Sequence, residues 1–158
     1  MAIPLRYWDS DAFLGWLANE PDKVDECRGV IKAAQAGDVR LVTSSLTLTE
    51  VIKLKGRTPL PTDKEPVIKE FFKHEWIIVR QLDRFIAEYA RDVVWQYGVN
   101  PKDAVHVATA IASRVPHLDT FDKRLIAKSG KIGDPPLVIG HPNIPEQLDL
   151  DELMPDQG

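Results

Sequence analysis

The stretch NPKDAVHVATAIASRVPHLDTFDKRL, residues 100–125, predicts three consecutive elements of an α/β fold. Asn100 is a common helix-capping residue and Pro101 suits the first helical position. Apolar residues continue from there, which predicts a helix over 101–114. A strand is expected near 117–120, and another helix begins at Lys123. A strand between two helices is the repeating unit of a parallel sheet covered by helices.

The rest of the chain continues this alternation. Further strands are predicted at 5–8, 40–43, 76–79 and 137–139, and further helices at 11–17, 23–36, 47–55, 66–74 and 84–97. We therefore expect a three-layer α/β fold, in which a mainly parallel five-stranded sheet carries helices on both faces. Residues 1–145 are expected to form this single domain, and residues 146–158 an acidic C-terminal tail that is a candidate for disorder.

Composition narrows the class of protein. The 158 residues are 44% hydrophobic and 28% charged, as in a folded globular domain. No apolar run approaches the roughly 20 residues that span a bilayer, and the first residues do not resemble a secretory signal, so we expect a cytoplasmic protein without a membrane segment. The net charge is −4, but six acidic residues and no basic ones follow Lys131, which leaves residues 1–131 with a net charge of +2.

Four acidic residues, far apart in sequence, follow predicted strands or begin predicted helices: Asp9, Glu50, Asp103 and Asp122. The carboxyl ends of parallel strands and the starts of the next helices meet at one edge of a sheet. Crowded carboxylates repel one another, and a divalent cation is the simplest means of keeping them ionised at neutral pH. The pattern therefore predicts a Mg²⁺ or Mn²⁺ site in a phosphodiesterase.

Each acid also has an ordinary structural explanation. Thr47 and Glu50 have the spacing of a capping box, in which Glu50 would return to the backbone of its own helix. Asp103 lies in a first helical turn, where the helix dipole favours an acid. Asp122 could cap the helix that follows it, and Asp9 could simply end a strand.

Four segments resemble the PIN domain family in the right order and at suitable spacing, and in particular the VapC-type toxins of bacterial toxin–antitoxin pairs. These segments are YWDSDAFL (7–14), TSSLTLTEV (43–51), KDAVHVATA (102–110) and LDTFDKRL (118–125). The resemblance extends over about residues 5–137. It implies a PIN-like fold with a catalytic quartet of Asp9, Glu50, Asp103 and Asp122.

The resemblance also implies an activity, that of a Mg²⁺- or Mn²⁺-dependent endoribonuclease in which a metal-activated water attacks the phosphodiester. Asp9 and Asp103 would be direct metal ligands, whereas Glu50 and Asp122 would hold waters or a second ion. The partners implied are an RNA substrate, a separately encoded antitoxin and a second copy of the chain in a homodimer. His106, one turn after Asp103, is expected to pack or to support a ligand rather than to act as a general base.

Several residues near the quartet have open assignments. Asp119 is the alternative to Asp122 as the fourth acid, although the T-x-D pattern of the family favours Asp122. Thr120 would supply a supporting hydroxyl, and Asp11 stands where the family commonly has asparagine. Two basic patches are expected to contact RNA phosphates, with a solvated surface as the alternative: Lys53, Lys55 and Arg57, and Lys123, Arg124 and Lys128.

Two other functions fit part of the pattern. A haloacid-dehalogenase-like phosphatase would use Asp9 as its nucleophile, Thr43 or Ser44 after the second strand, and Asp119 with Asp122 as late acids, but it leaves Glu50 unexplained. A catalytically inactive PIN-fold binding scaffold would bind no metal at the quartet.

Apolar residues between the second and third strands suggest a partner surface. Phe71, Phe72 and Trp76 are either core residues or, with Leu54 and the loop at 59–61, a groove for an antitoxin helix or a second copy of the chain.

Overall fold

The structure, a computed structural model, describes residues 2–52 and 58–143. Lys53, Leu54, Lys55, Arg57 and the predicted tail at 146–158 lie outside the described residues. The division into a domain of residues 1–145 and an acidic tail therefore stays a prediction.

A five-stranded parallel sheet forms the centre of the molecule. Its strands are β1 (Leu5–Trp8), β2 (Arg40–Ser44), β3 (Ile77–Arg80), β4 (His117–Asp119) and β5 (Val138–Gly140). They lie in the order β3-β2-β1-β4-β5, and every neighbouring pair is parallel. The register pairs Tyr7 of the central strand β1 with Val42 on one side and Leu118 on the other. The carboxyl ends of β1, β2 and β4 therefore meet at one edge.

Helices cover both faces of this sheet. They are α1 (Ser10–Leu17), α2 (Val24–Gln35), α3 (Thr47–Glu50), α4 (Glu65–Phe71), α5 (Arg84–Tyr97), α6 (Pro101–Ala112) and α7 (Lys123–Ile126), with a 3₁₀ turn at Thr62–Lys64. The expected three-layer α/β fold is confirmed. Within the described ranges, no helix is long and apolar enough to cross a membrane.

Two separate cores follow from the alternation of side chains along β1. Tyr7 belongs to a core that α5 and α6 complete, for example through Ile86 and Val107. Trp8 points to the opposite face and packs in a second core with Phe13 of α1 and Ile31 of α2. Helices therefore cover both faces of the sheet, as is usual for parallel sheets.

Polar caps set the starts of the helices that surround the sheet edge. Asp9 caps α1, Asn100 caps α6 with Pro101 in the first turn, and Asp122 caps α7. The prediction for α3 is wrong in length, because this helix ends at Glu50 instead of continuing to residue 55. Val51 leaves the helical conformation and is buried in the Trp8 core, which turns the chain out of the helix.

Candidate active site

Asp9 occupies the centre of the carboxyl edge of the sheet. It follows the central strand directly and is only 3% exposed. One of its carboxylate oxygens accepts a 3.0 Å hydrogen bond from the backbone N–H of Ala12, and the other accepts from the hydroxyl of Thr120. Burial raises the pKa of Asp9 to about 7; the nearby charge of Asp11 also raises it, while the hydrogen bonds from Thr120 and Ala12 lower it.

Asp122 caps α7, and Asp103 lies in the first turn of α6. The backbone N–H of Asp122 donates to the Thr120 hydroxyl at 3.1 Å, so Thr120 links Asp122 to Asp9. Asp103 is held by Asn100, whose side-chain amide donates to Asp103 Oδ2 at 2.6 Å. Burial raises the pKa of Asp103, and the charge of Asp122 raises it further. The two carboxylates are therefore close enough to repel each other.

Asp11 joins these residues from the first turn of α1. Burial raises the pKa of this half-buried acid. The ammonium of Lys23 opposes the shift, and the charges of Asp122 and Glu50 reinforce it. Asp11 is thus within electrostatic reach of four other carboxylates, and we call the five residues the acidic cluster: Asp9, Asp11, Glu50, Asp103 and Asp122.

Glu50 reaches the acidic cluster because the capping box is not formed. The hydroxyl of Thr47 lies 2.7 Å from the hydroxyl of Thr43, and the residue at the cap position of α3 is Leu46. Glu50 Oε1 instead lies 2.8 Å from Nε2 of His106, a side chain that is almost completely buried. The structural roles considered for Asp9, Asp103 and Asp122 are also present, since Asp9 follows the end of β1, Asp103 lies in the first turn of α6 and Asp122 caps α7.

Asp119 lies apart from the acidic cluster. It pairs in register with Trp8, so both side chains face the α1 and α2 side of the sheet. Its two oxygens accept from Arg6 at 2.8 and 2.6 Å and from the Trp8 indole at 2.8 Å. Asp119 and Asp122 were the two candidates for the fourth acid. The structure places Asp122 near Asp103 and Asp11, whereas Asp119 forms a buried ion pair with Arg6.

Only part of the predicted basic surface adjoins the acidic cluster. Arg124 and Lys128 line a small cleft of about 130 Å³ together with Asn100 and Asp103. Within the described ranges, neither of these two cations forms an ion pair. Lys123 is exposed on the same helix and does not line the cleft.

The donor chemistry at this edge fits a hard cation such as Mg²⁺. All five cluster members offer carboxylate oxygens, the ligands that Mg²⁺ prefers. Among the described residues, however, no three His, Cys, Asp or Glu side chains lie together closely enough to hold a metal ion as a preformed cage. Each carboxylate of the predicted quartet is instead hydrogen-bonded to a neighbour. Mg²⁺ keeps several waters and often uses only one or two carboxylates directly, so this arrangement is compatible with it.

Sequence reasoning missed two contributors to the site. Tyr7, on the strand before Asp9, has its hydroxyl 2.6 Å from Nδ1 of His106, and Lys23 is the cation that opposes the shift of Asp11. The only sequence feature that pointed to such a contact was the position of His106, one turn after Asp103. Nothing in the local sequence places Tyr7 or Lys23 there, because Tyr7 meets His106 across 99 residues of chain and Lys23 comes from the start of the next helix, α2.

A larger apolar groove of about 590 Å³ lies at α3 and α4, and no residue of the acidic cluster lines it. Its apolar lining residues include Leu48, Val51, Ile52, Leu60, Ile68 and Phe72. Phe72 and the loop residues Leu60 and Pro61 belong to it as expected. Phe71 and Trp76 pack edge to face against each other, and neither lines this groove.

Three solved structures resemble this fold. VapC20 of Mycobacterium tuberculosis, a toxin that cleaves the sarcin–ricin loop, has a TM-score of 0.62 and 13% identity over 77% of this chain and 93% of its own. A toxin–antitoxin complex from Klebsiella pneumoniae has a TM-score of 0.55 and 17% identity, over 77% and 90% of the two chains. VapBC2 from Rickettsia felis, bound to a promoter DNA fragment, has a TM-score of 0.56 and 16% identity, over 87% and 97%. At these identities the likeness shows the fold alone.

The sequence itself carries the family signal. No curated protein matches it significantly. The family model of the PIN domain, however, matches residues 6–131, a range that contains β2, β3, β4, all but the first residue of β1, and the entire acidic cluster. With the parallel sheet and the VapC-like structures, this match over most of its length shows that the chain belongs to the PIN domain family.

Proposed function

We propose that this chain is a divalent-cation-dependent endoribonuclease and the toxin of a toxin–antitoxin pair. The observation that carries the proposal is the acidic cluster at the carboxyl edge of a PIN-family sheet. The toxin assignment is supported by the similar structures, since VapC20 is a toxin and the Klebsiella pneumoniae structure is a toxin–antitoxin complex.

Burial of the carboxylates and the repulsion between them explain why a bound cation would stabilise the acidic cluster. Burial and mutual repulsion raise the pKa values of Asp9, Asp11 and Asp103, so these acids are costly to keep ionised in the folded chain. A purely structural cluster would gain from amide or apolar residues at these positions. A dication at the edge of the sheet offsets the repulsion and makes the ionised forms favourable.

Different residues are proposed to have different roles at this edge of the sheet. Asp9 and Asp103 are proposed as ligands, because Thr120 and Asn100 hold their carboxylates in place. Glu50 and Asp122 are proposed to orient water. When bound, the cation would supply positive charge at the scissile phosphate and lower the pKa of a water molecule. No serine or cysteine nucleophile is required.

The cleft lined by Arg124 and Lys128 is proposed to hold a phosphate next to the scissile one. Its two cations lie beside Asp103, so an RNA backbone that enters the cleft passes the acidic cluster. This local positive charge explains how a chain with a net charge of −4 could bind RNA. The contributions proposed for Lys53, Lys55, Arg57 and Lys123 rest on sequence alone.

The apolar groove at α3 and α4 is proposed as the antitoxin contact. Leu48 and Ile52 are about half exposed on its rim, and such exposed apolar side chains on a folded domain commonly mark a partner surface. Homodimer formation is proposed from the family resemblance.

Two of the four residues that support the phosphatase alternative, Asp119 and Thr43, are engaged elsewhere in the fold. Asp119 is committed to Arg6 and Trp8, and the hydroxyl of Thr43 donates to the Trp8 carbonyl at 2.7 Å. Neither is available beside Asp9 as that mechanism requires.

A cleavage assay with matched variants tests the proposal. Purified wild type, Asp9→Asn, Asp103→Asn and the control Asp83→Asn are incubated with single-stranded RNA and with DNA of the same sequence, in Mg²⁺, Mn²⁺ or EDTA. Asp83 caps α5 as Asp9 caps α1, but it is exposed and outside the cluster. We expect RNA cleavage by wild type and Asp83→Asn with either cation, and a loss of at least about 100-fold in the other two variants.

Two outcomes would contradict the proposal. Full cleavage in EDTA, or by Asp9→Asn, would exclude a metal-dependent quartet. RNA binding without cleavage by the wild type under every cation would instead support the inactive scaffold. Sequencing of the 5′ ends of RNAs produced after induction in cells would identify the substrate.

A further inference from the structure

A buried chain of hydrogen bonds connects the central strand to the acidic cluster. The Tyr7 hydroxyl lies 2.6 Å from His106 Nδ1, and His106 Nε2 lies 2.8 Å from Glu50 Oε1. Tyr7 is completely buried and His106 is 1% exposed, whereas the Glu50 side chain is 17% exposed. This chain of hydrogen bonds therefore begins in the core and ends at Glu50, the one residue of the three whose side chain is partly exposed.

The chemistry of the three groups sets the direction of both hydrogen bonds. An ionised carboxylate can only accept, so Nε2 of His106 must carry the hydrogen that Glu50 receives. In a neutral imidazole the other ring nitrogen is then an acceptor, and the Tyr7 hydroxyl must donate to Nδ1. In the other tautomer, a lone pair on Nε2 would face the carboxylate of Glu50. The hydroxyl of Tyr7 therefore selects the tautomer that can hold Glu50.

Glu50 depends on this contact because its own helix gives it no support. Helix α3 has four residues, Glu50 is the last of them, and the capping box that would have engaged its carboxylate is replaced by the contact between Thr43 and Thr47. Among the described residues, His106 is the hydrogen-bond partner of the Glu50 side chain.

We propose that Tyr7 and His106 are positioning residues that hold the Glu50 carboxylate in the acidic cluster, with Tyr7 acting by selecting the His106 tautomer. This proposal rests on the nuclease function proposed above. It assigns His106 no proton transfer to or from RNA, because both of its ring nitrogens are engaged within the protein.

Four variants of the full chain separate positioning from packing. Tyr7→Phe removes the hydroxyl that donates to Nδ1 and keeps the aromatic ring. His106→Leu removes both hydrogen bonds at similar volume, whereas His106→Gln keeps an N–H for Glu50. The control Ser129→Ala removes another half-buried hydroxyl, one that accepts from the Ile139 N–H at 2.8 Å in a different part of the fold.

We expect the kinetic effect to appear in kcat. Loss of a supporting hydrogen bond to a metal-site residue typically costs about 10- to 100-fold in metal affinity or activity, so Tyr7→Phe and His106→Leu should lose about that much kcat. KM for RNA should stay unchanged, because neither residue contacts the substrate. His106→Gln should recover most of the loss, and Ser129→Ala should behave as wild type.

Two further measurements do not depend on cleavage. Titration calorimetry with Mn²⁺ should show affinity about 10-fold weaker in Tyr7→Phe and His106→Leu than in wild type and Ser129→Ala. Nitrogen-15 NMR of the histidine rings should show the Nε2–H tautomer for His106 in wild type and a loss of that preference in Tyr7→Phe.

The proposal fails if wild-type His106 has the Nδ1–H tautomer, or if Tyr7→Phe keeps both the Nε2–H tautomer and wild-type Mn²⁺ affinity. An equal loss in His106→Gln and His106→Leu would also reject it, since packing alone would then explain the effect. If the wild type neither cleaves RNA nor binds Mn²⁺, the proposed function fails separately, and the tautomer comparison still decides whether Tyr7 controls His106.

Discussion

Replacing Asp9 by asparagine should make the cation-free protein more stable at neutral and alkaline pH. The folded state raises the pKa of Asp9 from 3.8 to about 7, with burial as the largest cause. An acid whose pKa is higher in the folded state binds its proton more tightly when folded. The stability that protonated Asp9 contributes is therefore fully present below pH 4 and is lost as the pH rises to about 7. Asparagine at this position has no charge to bury.

The magnitude follows from the size of this shift. A rise from 3.8 to about 7 corresponds to about 4 kcal/mol of unfolding free energy that ionised Asp9 removes above pH 7. Asparagine has one acceptor oxygen where the carboxylate accepts from both Ala12 and Thr120, so the variant loses part of one hydrogen bond, or about 1 kcal/mol. We therefore expect Asp9→Asn to be more stable by about 2–4 kcal/mol at pH 8, and equal or slightly less stable at pH 4.

The assay is urea unfolding in EDTA at several pH values between 4 and 8, followed by the fluorescence of the four tryptophans. Asp83→Asn is the matched control, because it changes another helix-capping aspartate that is exposed, and asparagine caps as well as aspartate. Its difference from wild type should be small. An Asp9→Asn variant that is less stable than wild type at pH 8, or whose difference does not change with pH, would refute the reasoning.

Three further predictions concern the surroundings of the acidic cluster. Changing Arg124 and Lys128 together to glutamine should raise KM for RNA and reduce the salt dependence of binding, whereas Lys123→Gln should have a smaller effect; steady-state kinetics at two salt concentrations would show whether the cleft matters. Asp119→Ala should lower the unfolding free energy by about 3–5 kcal/mol, because it leaves a buried guanidinium without its partner, and an Asp119→Ala protein as stable as wild type in urea would contradict that account. Truncation after Pro145 should tighten RNA binding at low salt and leave it unchanged at high salt if the acidic tail competes for the basic surface, while equal affinity at low salt would exclude that competition.

Much of the fold was predictable because its signals are local. The apolar run of β1 and the capping residues Asn100 and Pro101 mark element boundaries through backbone geometry and hydrogen bonding, which depend on a few neighbouring residues. The end of α3 was not predictable in this way. Its pattern continues to residue 55, but the burial of Val51 in the Trp8 core ends the helix at Glu50.

The candidate acids were also found from sequence, because their position after strands and at helix starts is a property of parallel α/β topology. The sequence by itself determined the class of fold, the family resemblance and the set of candidate acids. Only the tertiary structure placed Asp122 beside Asp103 and turned Asp119 toward Arg6, since the register of β1 against β4 sets which face each side chain occupies. Only the tertiary structure joined Tyr7 to His106 and Glu50, because those contacts cross 99 and 56 residues of chain and depend on how α3 and α6 pack around the sheet.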